Sequence, residues 1–400
     1  MNDLISVGEA DSRLQSHNVA SPLILCPLSK AAGRIAGEDI LADRPLPPFD
    51  RVMMDGYALR FESVEKGQAE LEVVAQALAG EPASTLPDGV GNAVEVMTGA
   101  PLPIGADTVV PYEVTQRDGS RCSLLDLADI ERGQYIHPLG SDFPNQSILV
   151  EADKVLGPVE MGIAASCGYS EILVRAHPRI AVASTGDELV PIGDTPLVHQ
   201  IRASNATAIE SALGLSGFNV GSIVHWDDDA EMGATQLRET LNVCEILIIA
   251  GAVSKGVRDW VPGALDTLAK PVFHGVKQRP GKPMGFWVTD DDKAIFALPG
   301  NPVSALVGAH RYVIPYLEAR EQRRSGGCRT VTLAEGVSFE PPLTWFLPVV
   351  LQSDGSALPL PVRNSGDYAR LHGSDGFIEL PAEDSAWTPG TEAAFYPWSV

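Results

Sequence analysis

This 400-residue chain contains no pair of cysteines at metal-ligand or redox spacing. Its five cysteines (Cys26, Cys122, Cys167, Cys244 and Cys328) are scattered and odd in number. That argues against a zinc site or disulfide frame, and for reduced, buried thiols in a cytoplasm. No apolar run approaches membrane-spanning length. Met1-Asn2-Asp3-Leu4 is not a basic segment leading into an apolar core, so no signal peptide is expected. Basic residues are scarce: 29 Lys and Arg against 52 Asp and Glu give a net charge of −23. That balance excludes a general binder of nucleic acid or of an acidic membrane. Any anionic substrate must be held by a local basic cluster working against the global field. G-x-G-x-x-G and Walker A loops are both missing, and none of the eight histidines pairs at a metal-ligand or Ser-His-Asp spacing.

The chain is 44% hydrophobic, as a folded chain should be, and is too long for one ordinary core. Its glycines and prolines punctuate it in blocks. Residues 1–42 read as helical. From Asp43 to about Gln146 short β-like runs follow (Leu71–Ala77, Asn92–Met97, Thr108–Val114, Ser123–Leu127), divided by turn signals such as Pro87-Asp88-Gly89. Pro158–Cys167 reads as a short buried helix. From Arg179 the pattern becomes strand, loop, helix. Strands are expected at Arg179–Ser184, Gly217–Trp226, Glu245–Ala250 and Lys293–Leu298. Helices are expected at Asn205–Leu213 with Ser204 as cap, at Ala230–Leu241, and at Val303–Leu317 with Asn301 as cap and Pro302 first. Beyond a polar linker, Arg329–Leu333, Trp345–Gln352, Gly376–Leu380 and Ala393–Trp398 predict a small β-barrel.

Three loops follow the apolar strands: Thr185-Gly186-Asp187-Glu188, Gly251–Gly256 and Pro299-Gly300-Asn301-Pro302. In an open α/β sheet, ligands bind at the carboxyl ends of the strands, where such loops gather. Lys277, Gln278, Arg279, Pro280, Gly281, Lys282 and Pro283 form the one dense basic stretch, and with the helix start at Asn301-Pro302 they predict an anion site; the other reading is a solvated basic turn. Asp187-Glu188 would repel an anionic ligand unless a divalent cation lies between them; the other reading is a water-facing cap. Glu188, Asp228 and Asp259 arrive at neighbouring strand ends, and oxygen ligands without histidine or cysteine point to Mg²⁺. In the Asp227-Asp228-Asp229 run, Asp229 reads as a helix cap. Taken alone, Asp55 before Gly56, the Thr98–Asp107 loop and Gly140-Ser141-Asp142 are turn elements.

Taken together, the motifs resemble the molybdopterin molybdenumtransferases, MoeA in bacteria and the E domain of gephyrin. The residues that carry the resemblance are Phe49–Ala58, Met97–Pro101, Gly105–Asp107, Gly140–Asp142, Ser184–Leu189, Val253–Gly256, Pro280–Pro283 and Leu298–Ala305, in the family's order along essentially the whole chain. The resemblance implies a multidomain α/β plus β protein. A doubly wound α/β sheet domain would comprise 1–22 with 179–326, and a small linking domain 23–42 with 147–178. A β-rich domain would span 43–146 and a C-terminal β-barrel 327–400. It implies a cytoplasmic homodimer whose cleft lies between the sheet domain of one subunit and the β-rich domain of the other.

The implied reaction joins molybdate to adenylylated molybdopterin and releases AMP, with Mg²⁺ as cofactor and the molybdopterin adenylyltransferase as a further partner. Asp55, Thr98, Asp142 and Glu188 become the catalytic candidates. Ser254, Lys277, Arg279, Lys282, Pro283, Pro299, Gly300, Asn301 and Ser365 become the substrate-binding ones, and Glu188, Asp228 and Asp259 the metal ligands. A dimeric scaffold of the same fold and a tungstate-specialised paralogue are the competing readings. The chain departs from the family at Arg51-Val52, Ala203, Ala250, Ala252 and Arg279, and lacks an arginine around Pro342–Pro348.

Overall fold

Aliphatic runs without polar alternation make strands that are covered on both faces, and three of them form the centre of the molecule. The computed structural model describes residues 4–226, 228–251, 253, 260–323, 329–361 and 366–399. Ile180–Thr185, Ile246–Ala250 and Ala294–Leu298 are buried at every position. They lie in a six-stranded sheet ordered Val220–Trp226, Ile180–Thr185, Ile246–Ala250, Ala294–Leu298, Gly285–Val288, Lys270–His274. The first four strands run parallel, and the last two form an antiparallel edge that the strand-loop-helix pattern did not predict. The outer strand Val220–Trp226 alternates in burial, as an edge strand should.

Helices cover both faces. Ser204–Leu215 and the 302–320 run pack on one face, where the N-terminal helix Val7–Ser16 joins them through Val7, Ala10 and Leu14. Ala230–Val243 and Val261–Leu268 cover the other. Asp229 caps its helix as expected, accepting from the Glu231 and Met232 amides. Ser204 does not act as a cap: Ala203 holds that position and Ser204 begins the helix, while Gly214 lies inside it. The expected helix Val303–Leu317 is instead Pro302–Gly308, a π-helical turn Ala309–Val313, and Ile314–Arg320. Pro315 has no N–H for an i−4 carbonyl, which accounts for the widened turn.

The helical reading of residues 1–42 is corrected. Among the described residues of this stretch only Val7–Ser16 is α-helical; Leu23–Pro27 pairs antiparallel with Glu171–Arg175, and Ile40-Leu41 with Ile148–Val150. Pro22, Pro27, Gly33 and Gly37 interrupt any longer helix, and strand partners far along the chain override local propensity. Pro158–Ser166 is the expected short helix, but it lies at the surface rather than buried: Ala164 alone is buried and Val159 is exposed. The β-rich block forms a six-stranded sheet ordered Thr108–Pro111, Gly56–Leu59, Asn92–Val96, Glu70–Ala77, Arg121–Leu124, Thr115–Asp118. Gly56 is required there, because a Cβ would stand 2.1 Å from the Val110 carbonyl oxygen. No described helix is long and apolar enough to cross a membrane.

In the C-terminal block, Thr344–Leu351, Gly376–Leu380, Glu392–Pro397 and Arg329–Thr332 pair in that order. A bridge between Leu333 and Ala357, whose strand pairs with Thr344–Leu351, brings the two ends of this sheet together around Leu347, Ile378 and Phe395. Gln278-Arg279 from the basic stretch adds a parallel strand to Thr344–Leu351, joining this block to the α/β sheet domain.

Arg311, on the π-helical turn, fastens the same junction. Its Nη1 and Nη2 donate to the two carboxylate oxygens of Asp11 at 2.8 and 2.7 Å, and its Nε donates to Glu379 Oε2 at 2.7 Å. The Tyr396 hydroxyl donates to the same Glu379 oxygen at 3.0 Å. One guanidinium thus ties the N-terminal helix, the sheet domain and the C-terminal block. Replacing it by Leu would leave two carboxylates without their cation. Arg311→Leu should lower the unfolding free energy by about 3–5 kcal/mol, measured by urea denaturation; an unchanged midpoint would contradict the clamp.

Candidate active site at the carboxyl ends of the sheet

The parallel strands end in loops that nest against one another because glycine lets them. Gly251 has φ +123°, and a Cβ on it would stand 2.6 Å from the Thr185 carbonyl oxygen. Gly300 in turn packs with its Cβ position 3.4 Å from Gly251 Cα. Beside these loops opens a cleft of about 620 Å³ whose lining includes Glu188, Asp228, Pro283, Pro299, Gly300 and Asn301. It lies at the carboxyl ends of the parallel strands, where the sequence reading gathers the ligand loops. The Asn205 amide donates to the Gly300 carbonyl at 2.7 Å, tying the start of helix Ser204–Leu215 to the third loop.

One edge of the cleft is acidic. The Asp228 amide donates to Asp187 Oδ1 at 3.1 Å, and Asp228 Oδ1 is buried with no hydrogen-bond partner among the described residues. Burial pushes the Asp228 carboxyl above the usual carboxylate range, and the nearby Asp187 and Glu188 charges add to the rise. Asp259 and Ser254 lie outside the described residues. Among the described residues, no three His, Cys, Asp or Glu side chains form a metal-binding cluster.

Beside it lies a second cavity of about 490 Å³ that shares the lining residues Pro283, Pro299 and Asn301 with the first. Arg279 and Lys282 line it, and among the described residues neither makes an ion pair. The Arg279 guanidinium lies over the Phe339 ring, 5.5 Å from its centroid, and Phe339 stacks on Trp345 at 4.8 Å. Gln278 shapes the basic turn from behind. Its amide nitrogen donates to the Pro280 and Gly281 carbonyls at 3.2 and 3.3 Å, and its oxygen accepts from the Tyr312 hydroxyl. Gly281 has φ +91°, and a Cβ would stand 2.8 Å from the Gln278 amide nitrogen. Lys277 lines neither cavity; its carbonyl accepts from the Thr344 amide at 3.0 Å. Ser365 is outside the described residues.

Asp55, Thr98 and Asp142 line neither cavity. Asp55 Oδ1 accepts from the Thr98 amide at 2.6 Å and the Thr98 hydroxyl at 2.8 Å, and these donors hold its carboxyl below the usual range. Asp142 bonds His137 at 2.7 Å. Sequence reasoning missed His137, Asn205 and Gln278. Each acts on a partner reached by a turn or across the fold, which no local spacing rule describes; a polar residue inside an apolar or basic motif was the one available signal for Gln278.

The strand-end glycines give a direct test. Gly251→Ala should cost about 1–3 kcal/mol, because it combines a strained φ with a backbone clash. Gly214, inside a helix with nothing within 4 Å of its Cβ position, should be neutral or gain up to about 1 kcal/mol as Ala. Urea denaturation of the two variants measures both, and equal effects would contradict the nested-loop geometry.

Comparison with known proteins covers nearly the whole chain. Residues 5–168 match the model for the MoeA N-terminal region (domain I and II), 181–319 that for a probable molybdopterin binding domain, and 330–398 that for the MoeA C-terminal region (domain IV). A Synechocystis sp. protein named molybdopterin molybdenumtransferase is 36% identical, aligned over 99% of this chain and 100% of its own length. A protein of the same name from Synechococcus elongatus is 34% identical over 91% of this chain and 92% of its own. Among solved structures, the molybdopterin biosynthesis MoeA protein from Pyrococcus horikoshii superposes with a TM-score of 0.84 at 28% identity, covering 100% of both chains.

Proposed function

The chain belongs to the MoeA family of molybdopterin molybdenumtransferases, and on that premise we propose that it inserts molybdate into adenylylated molybdopterin with release of AMP. The observation that carries this reading is the pair of adjoining cavities, one edged by carboxylates and one holding two cations that have no ion-pair partner among the described residues. Molybdate is a tetrahedral dianion. The planar Arg279 fork can hold two of its oxygens and Lys282 a third. The nucleotide half of the substrate fits the sheet-end cleft, with its phosphates near loop amides and the start of helix Ser204–Leu215.

The acidic edge fits Mg²⁺. The buried Asp228 oxygen, which has no hydrogen-bond partner among the described residues, and the Glu188 carboxylate are hard oxygen donors, and Asp259 would be the third ligand. Bound there, the ion would polarise the phosphoryl oxygens. The chain's own residues do the rest: the glycine loops admit the phosphates, and Arg279 and Lys282 orient the oxyanion. Asp55, Thr98 and Asp142 lie away from these cavities within one chain, so we take the complete cleft to be built from two chains of a cytoplasmic homodimer. The adenylyltransferase that makes the substrate would then be the natural donor to this cleft.

Release of AMP from adenylylated molybdopterin should require both molybdate and Mg²⁺, and Asp259→Asn should raise the Mg²⁺ concentration needed. Lys282→Ala should raise the molybdate concentration for half-maximal rate about tenfold to a hundredfold, the cost of one charge-assisted hydrogen bond. A flat molybdate dependence with collapsed pterin affinity would make Lys282 a phosphate ligand instead.

Mixed dimers test the shared cleft. Combining Asp55→Ala chains with Asp259→Ala chains should restore part of the activity, because one cleft in each heterodimer is intact. No recovery after verified subunit exchange would show that each site is built within one chain.

A further inference from the structure

We propose that His137 is a positioning residue that aims the Asp142 carboxylate, with Arg51 selecting the tautomer in which it does so. The inference rests on the reading of Asp142 as a site residue; the rest comes from three side chains and the backbone that presents them. Arg51-Val52 pairs antiparallel with Ile136-His137, so strand register sets Arg51 opposite His137. The chain then turns back, with the Ser141 amide donating to the Pro138 carbonyl at 3.1 Å and the Asp142 amide to the Leu46 carbonyl at 2.9 Å. This places Asp142 Oδ1 2.7 Å from His137 Nε2, while Arg51 Nη2 stands 3.0 Å from His137 Nδ1.

The direction of these bonds is fixed by chemistry. A guanidinium has donors and no acceptor. Nδ1 must therefore offer its lone pair to Arg51, which puts the ring proton on Nε2, facing the carboxylate. The hydrogen bonds run one way, from Arg51 through His137 to Asp142, and the opposite tautomer would lose both at once. Among the described residues, His137 is the only donor to the Asp142 carboxylate. Asp142 is 49% exposed and His137 23%. The second oxygen, Oδ2, is thus available to a ligand approaching from outside the β-rich block. Arg51, which looks like an isolated departure in the sequence, acquires a role as the residue that orients the imidazole.

The test uses AMP release by the full-length protein, with Asp142→Asn as reference. His137→Leu fills the space without a hydrogen bond and should lower kcat about tenfold, with little change in KM for the pterin substrate. His137→Gln, whose amide N–H can take the place of Nε2–H, should stay within about threefold of wild type on the same scale. Combined with Asp142→Asn, His137→Leu should cost nothing further. The ¹⁵N shifts of the wild-type His137 ring should show the Nε2–H tautomer, a readout that does not depend on any variant folding. A wild-type rate for His137→Leu beside an impaired Asp142→Asn would overturn the proposal alone, as would a His137→Gln variant as slow as His137→Leu, or the Nδ1–H tautomer. A wild-type rate for Asp142→Asn would overturn the reading of Asp142 and this proposal with it.

Discussion

The buried Arg311 guanidinium is the interaction on which the geometry of the site depends. It holds Asp11 and Glu379, and so fixes the N-terminal helix and the C-terminal block against one turn of the 302–320 run. The next residue, Tyr312, reaches the Gln278 side chain, which in turn holds the Pro280 and Gly281 carbonyls. A path of hydrogen bonds, carried across the Arg311–Tyr312 backbone, therefore leads from an ion cluster in the core to the turn that presents Lys282. Burial makes that path costly to break, since each member left alone would be an unsatisfied polar or charged group.

The second constraint is electrostatic. A chain of net charge −23 repels anions at long range, so binding a dianion requires short-range compensation. On the reading proposed above, Arg279 and Lys282 would supply it from a turn stiffened by two prolines and set against the C-terminal block. In the adjoining cleft, the burial of Asp228 beside Asp187 and Glu188 concentrates negative charge where a hard cation would be favoured. Opposite charges separated across adjoining cavities suit a substrate that brings both an oxyanion and a metal-bound phosphate.

Much of this was legible in the sequence because local rules sufficed. Continuous aliphatic runs gave the buried parallel strands, and the glycine and proline punctuation gave the loops at their carboxyl ends. Asp229 before Ala230 marked a helix cap correctly. Legibility failed where distant partners decide. Leu23–Pro27 is a strand only because Glu171–Arg175 lies beside it, and the antiparallel edge Gly285–Val288 with Lys270–His274 lacks any strand-loop-helix signature. The same limit applies to the site: Lys277 has the charge of its neighbours but lines neither cavity, while His137 meets Asp142 across a turn whose shape the spacing does not encode.

The central claim is that the basic cavity and the sheet-end cleft are two halves of one reaction site. Crystals soaked with AMP and with tungstate, an oxyanion close in size to molybdate and a strong anomalous scatterer, test it most directly. The account predicts an anomalous peak between Arg279 and Lys282, and AMP in the cleft beside Asp228, on the two sides of the shared wall of Pro283, Pro299 and Asn301. Tungstate bound away from Arg279 and Lys282, or AMP outside the cleft, would contradict it.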